Sequence, residues 1–251
     1  MAGFFPLAIF LAGILSGFLN TVAGGGSLLV LPLLVFSGLD MGVANATNRV
    51  AIFLQSLTAA RSFLRAGALD LRKSAAAVLP AALGALTGTI VAIRLDETLL
   101  RGSIGVLILV MAVLLVFKPS MWERPRQARM PAWLHGALFF LIGVYGGFVQ
   151  AGVGFFLIWA LVGLGGRDLV QANAEKVFLV GCFTAVSLAL FASQGLVRVG
   201  TGLVLASGSM IGAHLGARFT VTKGNRVIRW ILALMVMASA IKMLWDVFGS
   251  W

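Results

Sequence analysis

Residues 4–38 form an apolar run with three consecutive glycines in its middle, reading LNTVAGGGSLLVLPLL over residues 19–34. Drawn as one helix, the run would be about 52 Å long at 1.5 Å per residue, against a hydrocarbon core of about 30 Å. It therefore has to break, and glycine and proline are the residues that break helices. Further apolar runs follow near 43–60, 74–93 and 99–117. After a basic stretch, KPSMWERPRQARMP at 118–131, they return near 133–165, 177–197, 199–217 and 227–248. A span needs roughly 20 apolar residues, and several such runs in succession make an all-α polytopic membrane protein; strands of alternating polarity are missing.

Composition agrees, with 60% of residues hydrophobic and 11% charged, where a soluble domain carries about 25% charge. The net charge of +11 would suggest nucleic acid in a soluble protein. Here the basic residues lie in short loops between apolar runs, as in cytoplasmic loops, and no nucleic-acid partner is expected. Cys182 is the single cysteine, so no intramolecular disulfide forms. No basic segment precedes the first apolar run, so no cleaved signal peptide is expected.

The runs repeat. A single shift of 128 residues takes Asp40 to Asp168, Ala-Asn-Ala at 44–46 to 172–174, Gly67 to Gly195, Gly84 to Gly212, Gly88 to Gly216 and Arg101 to Arg229. Upstream it takes Gly24 and Gly26 to Gly152 and Gly154. The expected organisation is a first transmembrane repeat at 1–118, a basic cytoplasmic linker at 119–132 and a second repeat at 133–251. If the glycine break makes 4–38 a helical hairpin, re-entrant or fully crossing, the second repeat is inverted. If 4–38 crosses once, the repeats are parallel.

Charge chooses between the two. Inversion places Arg61, Arg65, Arg72, Lys73, Lys118, Arg124, Arg126, Arg129, Arg167, Lys176, Arg218, Lys223, Arg226 and Arg229 on one side. Only Arg94, Arg101, Arg198 and Lys242 fall on the other, with Arg49 inside a run. The parallel arrangement splits the same residues almost evenly. Each half is thus expected to be a broken helix or hairpin plus three transmembrane helices, with both termini outside.

Inverted repeats with helices broken near the membrane middle describe secondary transporters. A helix restarting after Gly24, Gly25 and Gly26 offers backbone N–H groups and a positive dipole end to an anion, with Ser27 placed to cap it. Gly152 and Gly154 make the partner break. Close backbone packing is the other use of such glycines. Polar side chains gather beside both breaks: Asn20, Thr21, Asn45, Thr47, Asn48 and Arg49 in one half, Gln150, Asn173, Glu175 and Lys176 in the other. Arg49 and Lys176 are expected to draw in the anion, unless they snorkel to headgroups. Glu175 is the candidate for a coupling proton, against a plain first-turn carboxylate. Asp40 and Asp168 read as N-caps. His135 and His214 read as boundary and packing residues, and two distant histidines with one cysteine make no metal site. No cofactor or ATP motif is present, and no catalytic constellation supports an enzyme.

The stretch GILSGFLNTVAGGGSLLVLPLLVFSGLDMGVANATNRV at 13–50, with its echo GVYGGFVQAGVGFFLIWALVGLGGRDLVQANAEKV at 143–177, resembles the sulfite exporter TauE/SafE family. The likeness runs over nearly the whole chain through the duplicated layout. The resemblance implies export of sulfite, sulfoacetate or a related small sulfur-containing anion across the bacterial inner membrane. Partners are then the anion and the bilayer, with a homodimer compatible. An anion channel, a non-transport membrane subunit and an intramembrane enzyme are the alternatives. A channel should pass current far faster than a carrier turns over.

Overall fold

The computed structural model describes residues 4–96, 98–99 and 131–248. The expected run at 99–117, apart from Leu99, and nearly all of the linker at 119–132 lie outside the described residues. The first half holds α1 (Phe4–Val22), α2 (Ser27–Phe36), α3 (Met41–Arg65) and α4 (Leu71–Arg94). The second holds α5 (Ala132–Phe148), α6 (Val153–Ile158) continued by a π-helical segment (Trp159–Leu164), α7 (Leu169–Ser193) and α8 (Val199–Phe248), in which Gly224, at φ 67° and ψ −175°, separates two helices. Among the described residues the fold is all-helical, and Phe5–Val22, Leu71–Arg94, Leu169–Ser193 and Val199–Ile228 are long and apolar enough to cross a membrane.

The break in 4–38 falls where the glycines stand. Gly24 has φ 104°, a left-handed conformation that costs any L side chain about 1–2 kcal/mol. After it the chain folds back, so that Gly26 packs on the backbone of Ser16. The 10 residues of α2 span about 15 Å, half a hydrocarbon core. The second half breaks at Gln150 (φ 64°) and Gly152 (φ 76°). The expected cap at Ser27 is not made: Gly26 holds the N-cap position with no side-chain cap. Asn20 replaces it, its Oδ1 accepting from the Gly26 N–H at 2.7 Å. Asp168 caps α7 through the Gln171 N–H at 2.9 Å, whereas Asp40 precedes α3 without a side-chain cap. Asp70 caps α4, and the Lys73 N–H, with help from Arg72, holds its carboxyl below the usual range.

Glycines set how the helices pair. Along α1 and α8, Gly208, Gly212 and Gly216 lie against Phe10, Ile14 and Phe18, while Gly13 and Gly17 lie against Leu205 and Ser209. Both numberings rise together, so α1 and α8 run in the same direction. The same contact recurs between α4 and α5, where Gly84 and Gly88 meet Phe140 and Val144, and Gly143 and Gly147 meet Ala81 and Ala85. With no driving force from water inside a bilayer, small residues that let backbones touch supply the packing. Alanine at Gly88 or Gly212 would overlap the facing backbone. Either substitution is expected to cost about 1–3 kcal/mol of stability, read as a lower melting temperature in detergent.

The remaining helices complete the pattern. On α3 and α8, Thr47 bonds the Arg198 N–H at 3.0 Å, Val50 touches Gly202 and Ser62 bonds His214 at 3.1 Å, again in the same direction. On α3 and α7, Arg49 stacks on Phe191 and Ser56 meets Gly181, so these two oppose each other. α7 follows α4, with Lys73 and Glu175 lining one cavity and Thr89 bonding Ser187 at 2.8 Å. Thus α1, α3 and α8 point one way and α4, α5 and α7 the other. The turn between α3 and α4 and the starts of α5 and α7 lie at one end. There too, Asn225 beside the Gly224 bend of α8 accepts from the Val170 N–H at 3.0 Å.

Candidate functional site

At the centre the two breaks meet. Gly24 and Gly154 touch through their backbones, with no space for a methyl on either. Around this contact lies a cavity of about 20 Å³ bounded by Asn20, Thr21, Ser27, Gln55, Gln150 and Lys176. Such a volume holds about one water. Its walls come from both halves: α1, α2 and α3 from the first, the second break and α7 from the second.

Two buried cations flank the breaks. Lys176, on α7, donates to the main-chain carbonyls of Asn20 at 2.8 Å and Thr21 at 3.0 Å, and to Asn173 Oδ1 at 2.6 Å. Arg49, on α3, donates to the carbonyls of Gly146 at 3.0 Å and Gly147 at 2.6 Å, and to Gln150 Oε1 at 2.6 Å. Each half therefore sends a cation to the carbonyl end of the other half's broken helix. There the unsatisfied carbonyls and the negative end of the dipole favour it. Neither side chain snorkels, since both are fully buried. The charges complete two broken ends that a continuous helix would have satisfied by itself.

The other expected residues divide by position. Asn20, Thr21, Gly24, Ser27, Gln150, Gly154 and Lys176 line the cavity. Asn48, behind the wall, donates to Ser27 Oγ at 3.2 Å. Asn45 donates to the Phe148 carbonyl at 2.8 Å, and Asn173 to the Leu169 carbonyl at 3.0 Å. Gly25 and Gly26 form the bend, and Gly152 the N-cap of α6. Glu175 stands apart, in the second turn of α7 and not the first, paired with Arg167 at 2.6 Å.

Gln55 escaped the sequence reasoning, although a signal existed. Asn45, Asn48 and Gln55 fall at helical spacing on one face of α3, a polar stripe within an apolar run. Asn48 Oδ1 and Gln55 Oε1 are buried and find no hydrogen-bond partner among the described residues. Buried polar atoms are normally bonded, so this stripe is suited to hold a water or a polar ligand.

Comparison with known proteins agrees with this architecture. The family model described as sulfite exporter TauE/SafE matches residues 9–243. A "probable membrane transporter protein" of Haemophilus influenzae is 30% identical over 239 residues, covering 95% of this chain and 94% of its own. The Escherichia coli "probable membrane transporter protein YfcA" is 29% identical over 247 residues, 96% of this chain and 90% of its own. A Bacillus subtilis relative with the same description, YjnA, is 24% identical over 95% of this chain and 99% of its own. No solved structure matches the chain. A polytopic helical protein with paired broken helices, matched along almost its whole length, belongs to the sulfite exporter TauE/SafE family of membrane transporters.

Proposed function

We propose that the protein exports a small sulfur-containing anion, of the sulfite or sulfoacetate class, across the bacterial inner membrane by alternating access. Two inverted repeats would rock about the contact of Gly24 with Gly154. The reading is supported by the opposed directions of equivalent helices, α1 against α5, α3 against α7 and α4 against α8. Basic residues gather at one end, with Arg61, Arg65, Arg72, Lys73, Arg167, Lys223 and Arg226 near the turns there, which the positive-inside rule assigns to the cytoplasm. Arg94 and Arg198 stand near the other end.

One observation carries the substrate sign: Lys176, a buried cation, borders a central cavity beside the start of α2. A cation and the positive end of a helix dipole at one point favour an anion. A cavity for one water does not hold a sulfur oxyanion, so the walls must part and Lys176 must exchange one of its acceptors for the substrate. An inside-negative potential favours outward movement of an anion.

Sulfite flux from proteoliposomes tests the proposal. Wild type should transport at carrier rates, and Lys176→Gln should reduce flux at least about tenfold, the loss of one charge-assisted hydrogen bond. Flux that is unchanged in a folded Lys176→Gln protein defeats the assignment. Proton coupling through Glu175 further predicts that an imposed pH gradient alters wild-type flux and leaves Glu175→Gln indifferent.

A further inference from the structure

A second, larger cavity of about 260 Å³ lies at the basic end, bounded by Lys73 on α4, His135 and Phe139 on α5, and Gly165, Arg167 and Glu175 at the approach to α7. Lys73, His135 and Arg167 line it together with the carboxylate of Glu175. Lys73 is held outside by Asp70 at 3.4 Å, with its side chain 62% exposed. Glu175, 5% exposed, is bonded to Arg167 at 2.6 Å. The next residue, Lys176, borders the central cavity, so the first turns of α7 stand between the two spaces.

Among the described residues, the opposite end shows no such device. The shift relating the halves takes Arg167 to Leu39 and Glu175 to Thr47. Leu39 packs in an apolar cluster with Met41, Leu196 and Val197, and Thr47 is bonded to the Arg198 N–H. A purely structural requirement of the duplicated fold would be expected at both ends. Among the described residues such an ion pair stands at one end alone, at the wall of a cavity and next to the central cation, which points to a use in one direction.

We propose that this cavity is an access vestibule for sulfite-class oxyanions and small sulfonates, in which the anion draws Arg167 away from Glu175 and loosens the wall before Lys176. The guanidinium fork suits two oxygens of a sulfur oxyanion as it suits a carboxylate. Lys73 adds positive charge at the mouth, and His135 a hydrogen-bonding imidazole. Glu175 is the competitor that holds Arg167 while the vestibule stands empty. The inference rests on the transport reading above.

Isothermal titration of sulfite and of methanesulfonate into nanodisc-embedded protein tests it. Arg167→Gln should weaken binding about tenfold or more, and Arg167→Lys, which keeps the charge without the fork, by less. Lys73→Gln, at an exposed position, should weaken it about two- to threefold. Glu175→Gln should tighten binding several-fold, because it removes the competitor; an ion pair serving only the fold would give no gain. Glu175→Gln that binds no tighter, or Arg167→Gln that binds like wild type, overturns the vestibule. Should Arg167→Gln fail to fold, Lys73→Gln and Glu175→Gln decide: loss in the first with gain in the second supports the vestibule, and any other pair of results overturns it. A wild type that binds neither probe overturns the sulfur-anion reading itself, and the vestibule with it.

Discussion

Gly24→Ala will unfold the protein about 10 °C earlier in detergent and abolish transport. Two independent costs meet at this position. The backbone is left-handed, at φ 104°, which costs a side-chain-bearing residue about 1–2 kcal/mol. The new methyl would also enter the backbone of Gly154 and Phe155, and overpacking of this kind costs about 1–3 kcal/mol. At about 2–4 °C per kcal/mol for a chain of this size, the sum gives a fall of the stated order. Gly38→Ala is the control, since Gly38 has φ 94° and nothing within 4 Å of an added methyl. It should show the backbone cost alone, roughly half the fall, and keep transporting. Gly154→Ala, at a position that is not left-handed, should show the packing cost alone, and the double variant should lose more than the sum, because the two methyls would occupy one space. Equal falls for Gly24→Ala and Gly38→Ala would mean that the two breaks do not press on each other.

The large features were legible because they follow from length and charge alone. A run too long for one crossing has to break, and the break stands at Gly24 with α2 beginning at Ser27. The fixed shift of 128 residues matches the structure at positions where both halves use the same local device. Gly67 and Gly195 both close a helix at φ 69°, and in each the next N–H reaches back to a carbonyl of the last turn, Ala68 to Phe63 and Leu196 to Phe191. Register within the packed helices was not legible. Shifting by one fixed interval pairs Gly84 with Gly212, yet Gly84 faces Phe140 as Gly208 faces Phe10, and Gly24 faces Gly154, not its sequence twin Gly152. Two backbones in contact select whichever glycine stands at the crossing, and a one-dimensional shift carries no crossing point.

Partners across the halves were hidden for a similar reason. The sequence marked Arg49 and Lys176 as cations that either draw in the anion or snorkel to headgroups. That their task involves the main-chain carbonyls of the opposite half did not follow from it, since carbonyls are invisible in a string of side chains. Arg167 was passed over as one more loop cation, because its pairing with Glu175 arises from the chain turning into α7. Asn20 shows the same limit on a smaller scale: the cap of α2 comes from six residues upstream, across a bend that had to be built first.

The same geometry separates two roles for Arg49. If its main service is to the broken end of α5, Arg49→Gln will leave the Gly146 and Gly147 carbonyls and Gln150 Oε1 without their donor in a water-free interior. Breaking a buried charged contact typically costs about 3–5 kcal/mol, so the variant should lose about 10–20 °C of thermal stability in detergent. Thr89 would still donate to the Gly147 carbonyl at 3.1 Å, which keeps the loss from being larger. Arg49→Lys should recover only part of it, because an ammonium does not span carbonyls that the guanidinium reaches through Nη1 and Nη2. If instead Arg49 met the transported anion, Arg49→Gln would melt like wild type while losing sulfite flux. Thermal melts and proteoliposome flux on the same preparations distinguish the two. Arg49 is expected to show the first pattern, a fall in stability that precedes and explains any fall in flux. Lys176, the cation that also borders the central cavity, is expected to lose flux in variants that still fold. Such a divergence between two cations in matching places would mean that the two breaks, alike in construction, are used unequally: one held shut by its arginine, the other free to exchange a carbonyl for the substrate.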